Sequence, residues 1–338
     1  MQTSAAPGNP TCPAALPLTD DCGVPMAARP TSERTWLVTL VDGTELNIAS
    51  LSAEQLRQVQ CEQEPAFAQA ISAAPKDSAL RQQVTRQAYT TICAVLEQLS
   101  QRQQKSADFR MGMDDRYSDL ILRLLRQQAR RGVSGGLFEV GFCSGVLLER
   151  VAAAGYPVGG LEVVDDLLAQ AKRKLAKEHH PSLLLGDFRK QDFTAHRGRY
   201  SMVYWNDVFE HIPQDEILDY LKIIYSLLGD GGILVTITPN WHMRPSDVTT
   251  QFSPPRTAAV GFHLKEYKLA EVCALTRQAG FRAVRTPAFI SRHRIYDLQW
   301  VSGSRTKALL EPMLEWLPFP VAVQACRRLG FNLTIATK

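Results

Sequence analysis

A short segment near the middle of the chain has the residue types needed to hold a nucleotide-like ligand. Residues 135–155 read GGLFEVGFCSGVLLERVAAAG, with Glu139, Gly141, Cys143 and Gly145 between an apolar strand and an apolar helix. Glycines at such a turn let the backbone pass close to a ligand, because no side chain intervenes. The turn therefore predicts a nucleotide-like cofactor, although Cys143 stands where such turns usually have glycine.

Three familiar motifs do not fit this region. A P-loop needs a lysine after its last glycine to contact phosphate, and none follows here. A dinucleotide fingerprint needs G-x-G-x-x-G, of which residues 141–146 keep only the first glycine. The G-x-S-x-G at 132–136 precedes a strand, whereas a nucleophilic serine of that motif must follow one. The segment therefore excludes these phosphate-binding and nucleophile templates.

The elements around the turn alternate between strand and helix. After a helix in DDRYSDLILRLLRQQARRG, short apolar runs alternate with amphipathic segments of roughly 10 to 15 residues. This pattern predicts βαβ units and a doubly wound parallel sheet over 110–240. A strandless insertion at 241–264, a strand in FRAVRTPAFI, a helical insertion at 291–330 and a last, antiparallel edge strand in FNLTIATK are expected to follow.

The N-terminal part has a different composition. Residues 1–32 are rich in Pro and Ala and predict a disordered tail. Residues 33–105 predict a small α+β accessory domain that begins with a hairpin on a type I′ turn at Asp42-Gly43. Ser52 and Gln55 predict a capping box for a helix that Pro65 interrupts, and a second helix is expected at about 78–99. The polar run QRQQKS predicts a linker to a main domain at 106–338.

Composition places the chain among ordinary globular proteins. Of its 338 residues, 45% are hydrophobic and 21% charged, and no apolar run predicts a membrane span. Seven scattered cysteines favour free thiols in a cytoplasmic protein, and we expect no metal site. The segment from residue 256 onward has 13 Lys and Arg against five Asp and Glu. Such a basic segment could attract an anionic substrate, a membrane surface or RNA.

Taken in order, the motifs resemble class I S-adenosylmethionine-dependent methyltransferases, in particular the small-molecule enzymes of the ubiquinone and menaquinone type. The resemblance covers about residues 110–285. It is carried by the segments EVGFCSG, GGLEVVDD, LLLGDF, YWNDVFEHIP, LLGDGGILVTITPN and HLKEYKLAEVCALTRQAGF. It implies a Rossmann-like α/β sheet of seven strands, the last antiparallel, with S-adenosylmethionine as cofactor.

The resemblance also assigns roles to residues of this chain. Glu162, 17 residues after Gly145, would accept hydrogen bonds from the ribose hydroxyls, and Asp187 and Phe188 would contact adenine. The acidic Glu139 could offset the positive charge of the cofactor. The full set of implied cofactor residues is Tyr117, Glu139, Gly141, Phe142, Cys143, Gly145, Glu162, Val163, Asp187, Phe188, Asn206, Asp207 and Val208.

Methyl transfer requires an aligned nucleophile, and a general base can add roughly 10²–10⁴-fold. His211, after the fourth strand of the domain, is the first candidate base. His263 and Tyr267 in GFHLKEY are the second candidates. A structural role for each of the three is the alternative.

The substrate pocket should be built by segments added to the common fold, because ligands lie beyond the carboxyl ends of the strands. The insertions 241–264 and 291–330 and the helix before the first strand are such segments. Their aromatic and cationic residues predict an acceptor with a carboxylate or phosphate. These residues are Arg116, Trp241, His242, Arg244 and Phe252.

The predicted function is O-methylation of a small molecule, with N, S or C as alternative acceptor atoms. Residues 206–209 read NDVF and not N-P-P-Y, the sequence common in enzymes that methylate nucleobases or protein glutamine. An RNA or protein methyltransferase is a further alternative. The sequence contains no RNP, KH or zinc-finger pattern, so nucleic acid is not an expected partner. A non-catalytic scaffold that binds the cofactor, and a homodimer formed through 33–105, also stay open.

Overall fold

The structure is a computed structural model that describes residues 36–102, 114–297 and 303–338. The predicted tail at 1–32 and most of the predicted linker lie outside these residues. Residues 36–338 form one compact unit. The boundaries at 33–105 and 106–338 stay predictions. Within the described residues, none of the helices combines the length and apolar character that crossing a membrane requires.

The N-terminal region is a hairpin followed by two long helices. Its elements are β1 (Leu37–Thr39), β2 (Glu45–Asn47), α1 (Ala53–Ala73) and α2 (Ala79–Arg102). The hairpin is antiparallel, but Gly43 has a φ of 88° and Asp42 is not left-handed, so the turn is not type I′. Leu40 and Thr44 close a three-residue loop in which only the glycine needs positive φ.

The helix α1 confirms one prediction and corrects another. Ser52 accepts from the Gln55 backbone while the Gln55 side chain accepts from Ser52, which is the expected capping box. Pro65 lies inside α1 and does not interrupt it. The apolar face of the helix continues through the proline, since Phe67 and Ile71 pack with Ala88 and Ile92 of α2. Burial of this face therefore outweighs the cost of the lost backbone hydrogen bond.

A sheet of seven strands forms the centre of the molecule. Its strands are β3 (Gly136–Val140), β4 (Val158–Glu162), β5 (Leu183–Leu185), β6 (Tyr200–Asn206), β7 (Leu228–Ile237), β8 (Ala283–Arg285) and β11 (Leu333–Thr337), and their order in the sheet is β5-β4-β3-β6-β7-β11-β8. The first five of these are parallel, and β11 runs antiparallel to both β7 and β8. This confirms the predicted fold class. The last strand is not at the edge, however, because it inserts between β7 and β8.

The helices cover both faces of this sheet. They are α3 (Asp115–Arg130), α4 (Val146–Ala153), α5 (Asp165–Lys174), α6 (Ile217–Leu227), α7 (Leu269–Gln278), α8 (Ser304–Leu310) and α9 (Phe319–Leu329). Alternate residues of a strand point to opposite faces. In β6, Val203 and Trp205 pack with α6 and α7, whereas Met202 and Tyr204 pack with α3, α4 and α5. Each face of the sheet therefore has its own apolar core.

Several predicted elements have different bounds in the structure. The strand expected at 281–290 is divided into β8 and β9 (Phe289–Ile290), and β9 pairs with β10 (Ile295–Tyr296) in a separate antiparallel ribbon. The helix expected to reach His180 ends at Lys174, before a short 3-10 turn. The insertion 241–264 contains 3-10 turns and no strand, as expected.

Candidate functional site

A cavity of about 740 Å³ lies at the carboxyl ends of β3, β4 and β6. Ten of the predicted cofactor and catalytic residues line it: Gly141, Cys143, Glu162, Val163, Asp187, Phe188, Asn206, Asp207, Val208 and His211. The opposite wall comes from α2, which contributes Gln82, Arg86, Tyr89 and Cys93 among others. The N-terminal region is therefore part of the cavity and not a separate attachment.

The turn after β3 has three left-handed residues, Gly141 (φ 71°), Cys143 (φ 49°) and Gly145 (φ 75°). A Cβ at Gly141 would lie 2.8 Å from Val208, and one at Gly145 would lie 2.7 Å from Ala171. Both glycines are thus required by close packing as well as by φ. Cys143 accepts the left-handed conformation despite its side chain.

Glu162 at the end of β4 holds this turn in place. Its carboxylate accepts from the backbone N–H of Cys143 at 2.8 Å, of Val163 at 2.8 Å and of Val164 at 3.2 Å. Burial raises the pKa of Glu162 to about 7, and these three hydrogen bonds oppose the shift. The side chain thus connects two strand ends at the cavity wall.

Glu139 has a different environment from Glu162. It is buried, it does not line the cavity, and its Oε2 has no hydrogen-bond partner among the described residues. Burial raises the pKa of Glu139 far above its ordinary value, and the charge of Glu162 adds to the shift. A protonated Glu139 has no charge with which to offset that of a cofactor.

One end of the cavity is aromatic and charged. Phe188 stacks on Tyr220 with ring centroids 5.1 Å apart, and Asp187 caps the turn that carries Phe188 by accepting from the backbone of Arg189 at 2.9 Å. The buried carboxylate of Glu216 lies 2.7 Å from Arg81 of α2 and 3.0 Å from Arg189. This buried group of charges connects α2 to the loop after β5.

His211 follows β6 and faces both the cavity and a second histidine. Its Nδ1 lies 2.8 Å from the carbonyl oxygen of Phe262, so Nδ1 carries the proton and Nε2 presents a lone pair. Burial and the charge of His263 lower the pKa of His211 to about 3. His211 is therefore a neutral imidazole at ordinary pH.

His263 lies next to His211, with ring centroids 4.9 Å apart. Its Nδ1 is 3.2 Å from a carboxylate oxygen of Glu266. Burial lowers the pKa of His263, but the hydrogen bond with Glu266 and the charges of Glu210 and Asp247 outweigh burial and raise the pKa to about 9. Burial and the charge of Asp207 raise the pKa of the fully buried Glu210.

Five further predicted site residues do not line the cavity. Tyr267 packs its ring on Phe209 at 4.7 Å, and burial raises its pKa. Tyr117 accepts a hydrogen bond from Asn332 at 3.4 Å. Phe142 packs beneath Gly160, where a Cβ would lie 2.6 Å from its ring. Gly145 and His263 also lie outside the cavity lining.

The predicted substrate residues also lie outside the cavity lining. Arg244 lies over the Trp241 ring at 3.9 Å, and its Nη2 is 2.7 Å from Glu315. His242 shares the same carboxylate at 2.8 Å. These pairs tie the insertion 241–264 to the segment after α8.

The other two predicted substrate residues differ in their surroundings. Arg116 bonds to Asp114 and to the Ser291 carbonyl oxygen, the latter at 2.8 Å. Phe252 is 52% exposed. Neither of them lines the cavity.

Sequence reasoning missed the wall formed by α2. Gln82, Arg86, Tyr89 and Cys93 recur at spacings of four, three and four residues, which places them on one face of a helix. That periodicity was available in the sequence, but nothing in it indicated which surface the face would contact.

The chain belongs to the methyltransferase domain family, whose model matches residues 109–286. It is a class I S-adenosylmethionine-dependent methyltransferase, and S-adenosylmethionine is its cofactor. No curated protein matches the sequence.

Solved structures of methyltransferases are similar to parts of the chain. A SAM-dependent methyltransferase from Archaeoglobus fulgidus is 15% identical over 65% of this chain and 94% of its own, with a TM-score of 0.39. Magnesium protoporphyrin IX methyltransferase from Synechocystis is 17% identical over 63% and 95%, with a TM-score of 0.43. An amino pentose methyltransferase from Micromonospora echinaspora is 26% identical over 35% and 49%, with a TM-score of 0.29.

Proposed function

We propose that this protein transfers the methyl group of S-adenosylmethionine to a hydroxyl oxygen of a small molecule. The observation that carries the proposal is the cavity of about 740 Å³, which is lined by predicted cofactor residues and by residues of α2. A volume of this order suits small ligands. The helix α2 forms part of the wall of this cavity, which favours a small acceptor over a polymer.

The cofactor is proposed to lie along the carboxyl ends of the strands, with ribose at Glu162 and adenine at Asp187 and Phe188. An ionised carboxylate has about four acceptor positions. Three of them are used by the backbone of Cys143, Val163 and Val164. One ribose hydroxyl can therefore bind directly, and a second requires the 3.2 Å bond from Val164 to loosen.

The reaction would be an in-line displacement. The acceptor oxygen forms a bond to the methyl carbon while the carbon–sulfur bond breaks, and S-adenosylhomocysteine and a proton are released. Much of the rate can come from alignment of these atoms by the cavity walls. His211 lines the cavity, but a base with a pKa of about 3 holds the released proton poorly near neutral pH. The proton of the acceptor therefore needs another means of release.

The choice of oxygen is supported by the segment after β6. It reads Asn206-Asp207-Val208-Phe209 and lacks the N-P-P-Y sequence. Methylation of N, S or C in a small molecule is the alternative within the same site.

An anionic group on the acceptor would have to be bound by residues other than those predicted. Arg86 lines the cavity, and the pair it forms with Asp165 is exposed to solvent. Arg81 and Arg189 share Glu216 and are further paired with Asp215 and Asp77, respectively. Arg86 is thus the side chain we propose for such a group. A homodimer through the N-terminal region stays a prediction.

The acceptor can be identified by incubating the protein with S-adenosylmethionine labelled in the methyl group and fractionated metabolite, RNA and protein extracts. We expect label in a small molecule, in a methyl ether stable to mild base. Label in RNA or protein would contradict the proposal, and binding to RNA that falls steeply with salt would favour the RNA alternative. Cofactor binding without any transfer would favour a scaffold.

A further inference from the structure

Glu210, His211 and His263 bring three metal-binding groups together beside the cavity. One donor atom from each lies within 4.8 Å of the other two. Glu210 and His211 are consecutive in the turn after β6, and His263 comes from the loop before α7. Glu210 is fully buried, and the side chain of His263 is 10% exposed.

The remaining polar atoms of these three side chains are already held by other groups. Nδ1 of His211 donates to the carbonyl oxygen of Phe262 at 2.8 Å, and Nδ1 of His263 lies 3.2 Å from Glu266. Histidines that bind metals usually donate their second ring N–H to a carbonyl or a carboxylate, which fixes the ring and leaves Nε2 for the metal. Both rings have this arrangement.

The two carboxylate oxygens of Glu210 also have different surroundings. Its Oε2 accepts from the hydroxyl of Thr238 at 3.0 Å. Its Oε1 is buried and accepts from no N–H or hydroxyl donor among the described residues, and the carboxyl group of Asp207 is its acidic neighbour. A buried carboxylate oxygen without a partner is costly unless something neutralises it. The observation is independent of the two histidines, and a carboxylate oxygen of the same residue lies within 4.8 Å of a ring nitrogen of each.

The geometry points to a binding site for one divalent transition-metal ion, held by Nε2 of His211, Nε2 of His263 and Oε1 of Glu210. Two imidazoles and one carboxylate suit Zn²⁺ and neighbouring first-row ions such as Mn²⁺ and Co²⁺. Mg²⁺ and Ca²⁺ prefer oxygen donors only. Bonds of about 2.0–2.2 Å require the three donors to move together slightly.

The site would act on the acceptor, a role that rests on the proposed function. His211 and Asp207 line the cavity, so the ion would be within reach of a ligand there. A metal-bound hydroxyl loses its proton to solvent more readily than a free one, and the resulting oxygen anion is the better nucleophile. In this arrangement His211 positions the ion and is not the base.

Metal binding can be measured without any acceptor. The full-length protein is treated with a chelator, dialysed, and titrated with Zn²⁺, Mn²⁺ or Mg²⁺ by calorimetry, and its metal content is determined by elemental analysis. We expect about one equivalent of Zn²⁺ or Mn²⁺, at least tenfold weaker binding of Mg²⁺, and at least tenfold weaker binding of Zn²⁺ in Glu210→Gln and His263→Ala. The exposed His293 provides the control, since His293→Ala should bind as the wild type does.

Two further measurements keep the result interpretable. The visible spectrum of the Co²⁺ form should show nitrogen and oxygen ligands without a thiolate band, which excludes binding by cysteines. Thermal unfolding in the presence of chelator shows whether each variant is folded. If Glu210→Gln loses its fold, His211→Gln in the same titration tests the same site.

The proposal is overturned if the wild type binds no Zn²⁺ or Mn²⁺ at micromolar concentrations, or if the variants and His293→Ala bind equally. The first result would mean that a protonated His263 neutralises Glu210 and Glu266 without an ion. Methylation that continues fully in metal-free protein would reject the catalytic role and leave the proposed function intact. Metal binding without any methyl transfer would support the metal site and contradict the proposed function.

Discussion

The guanidinium group of Arg81 lies 2.7 Å from the carboxylate of Glu216, although 135 residues separate them in the chain. Both side chains are buried, and Arg189 shares the same carboxylate at 3.0 Å. The contact joins α2 to the start of α6. It holds the N-terminal helices over the cofactor cavity, so the position of the cavity wall depends on this group of charges.

Removal of Arg81 should destabilise the protein strongly. We expect Arg81→Met to lower the free energy of unfolding by on the order of 3 kcal/mol, because a buried carboxylate loses one of its two cationic partners. Denaturant unfolding measures this change. Arg86 offers a matched control, since it joins α2 to Asp165 through side chains that are 62% and 63% exposed. Arg86→Met should cost less than about 1 kcal/mol, and equal losses in the two variants would refute the importance of burial.

Replacement of Glu162 should weaken cofactor binding. We expect Glu162→Ala to raise the dissociation constant of S-adenosylmethionine more than tenfold, because the turn at Cys143 loses its anchor and the ribose loses its acceptor. Isothermal calorimetry measures the affinity. The exposed Glu149 on α4 serves as control, and Glu149→Ala should leave the affinity unchanged. Unaltered binding by the Glu162 variant would remove this residue from the site.

The stability of the ligand-free protein should decrease as the pH rises through neutrality. Burial raises the pKa of Glu162 in the folded state to about 7, from an ordinary value of about 4.5. The folded state therefore holds this proton more tightly than the unfolded state does. The contribution is fully present below about pH 4.5 and is lost as the pH rises through about 7.

The contribution of Glu162 can be isolated in Glu162→Gln, whose side chain does not ionise. Melting temperatures of both proteins between pH 5 and pH 8, roughly the range over which this pKa acts, give the two slopes. We expect the slope of the variant to be shallower than that of the wild type. Parallel curves would show that Glu162 titrates alike in the folded and unfolded states. Glu139 has a raised pKa for the same reason and should account for part of the remaining slope.

Cys143 should tolerate glycine better than a branched residue. Its φ of 49° lies in the left-handed region, where a side chain costs roughly 1–2 kcal/mol. Cys143→Gly removes this cost from the folded state but makes the unfolded chain more flexible. The two effects oppose each other, so stability and cofactor affinity should stay within about 1 kcal/mol of wild type. Cys143→Val should lower both the stability and the cofactor affinity, because a β-branched residue fits the left-handed region poorly. Calorimetry and thermal unfolding of the two variants provide the comparison, and a loss of cofactor binding in Cys143→Gly would mean that the thiol itself is required.

The sequence by itself determined the sheet and the turn at its centre. A largely apolar run such as residues 136–140 can bury the side chains of both its faces only inside a covered parallel sheet. The glycines at 141 and 145 meet a local requirement for positive φ. Position 65 shows the limit of local rules. A proline predicts an interruption, but packing of Phe67 and Ile71 against α2 keeps α1 continuous.

The tertiary structure alone decided which side chains meet. The arginines at 116 and 244 resemble substrate-binding residues in the sequence, yet Arg116 pairs with Asp114 at the start of its own helix and Arg244 pairs with Glu315 of a distant segment. The wall formed by α2, the pair of Arg81 and Glu216, and the cluster of Glu210, His211 and His263 all join segments far apart in the chain. Periodicity and spacing report only on neighbours within one element. Contacts between elements depend on how their buried faces pack, and they are fixed only when the whole core forms.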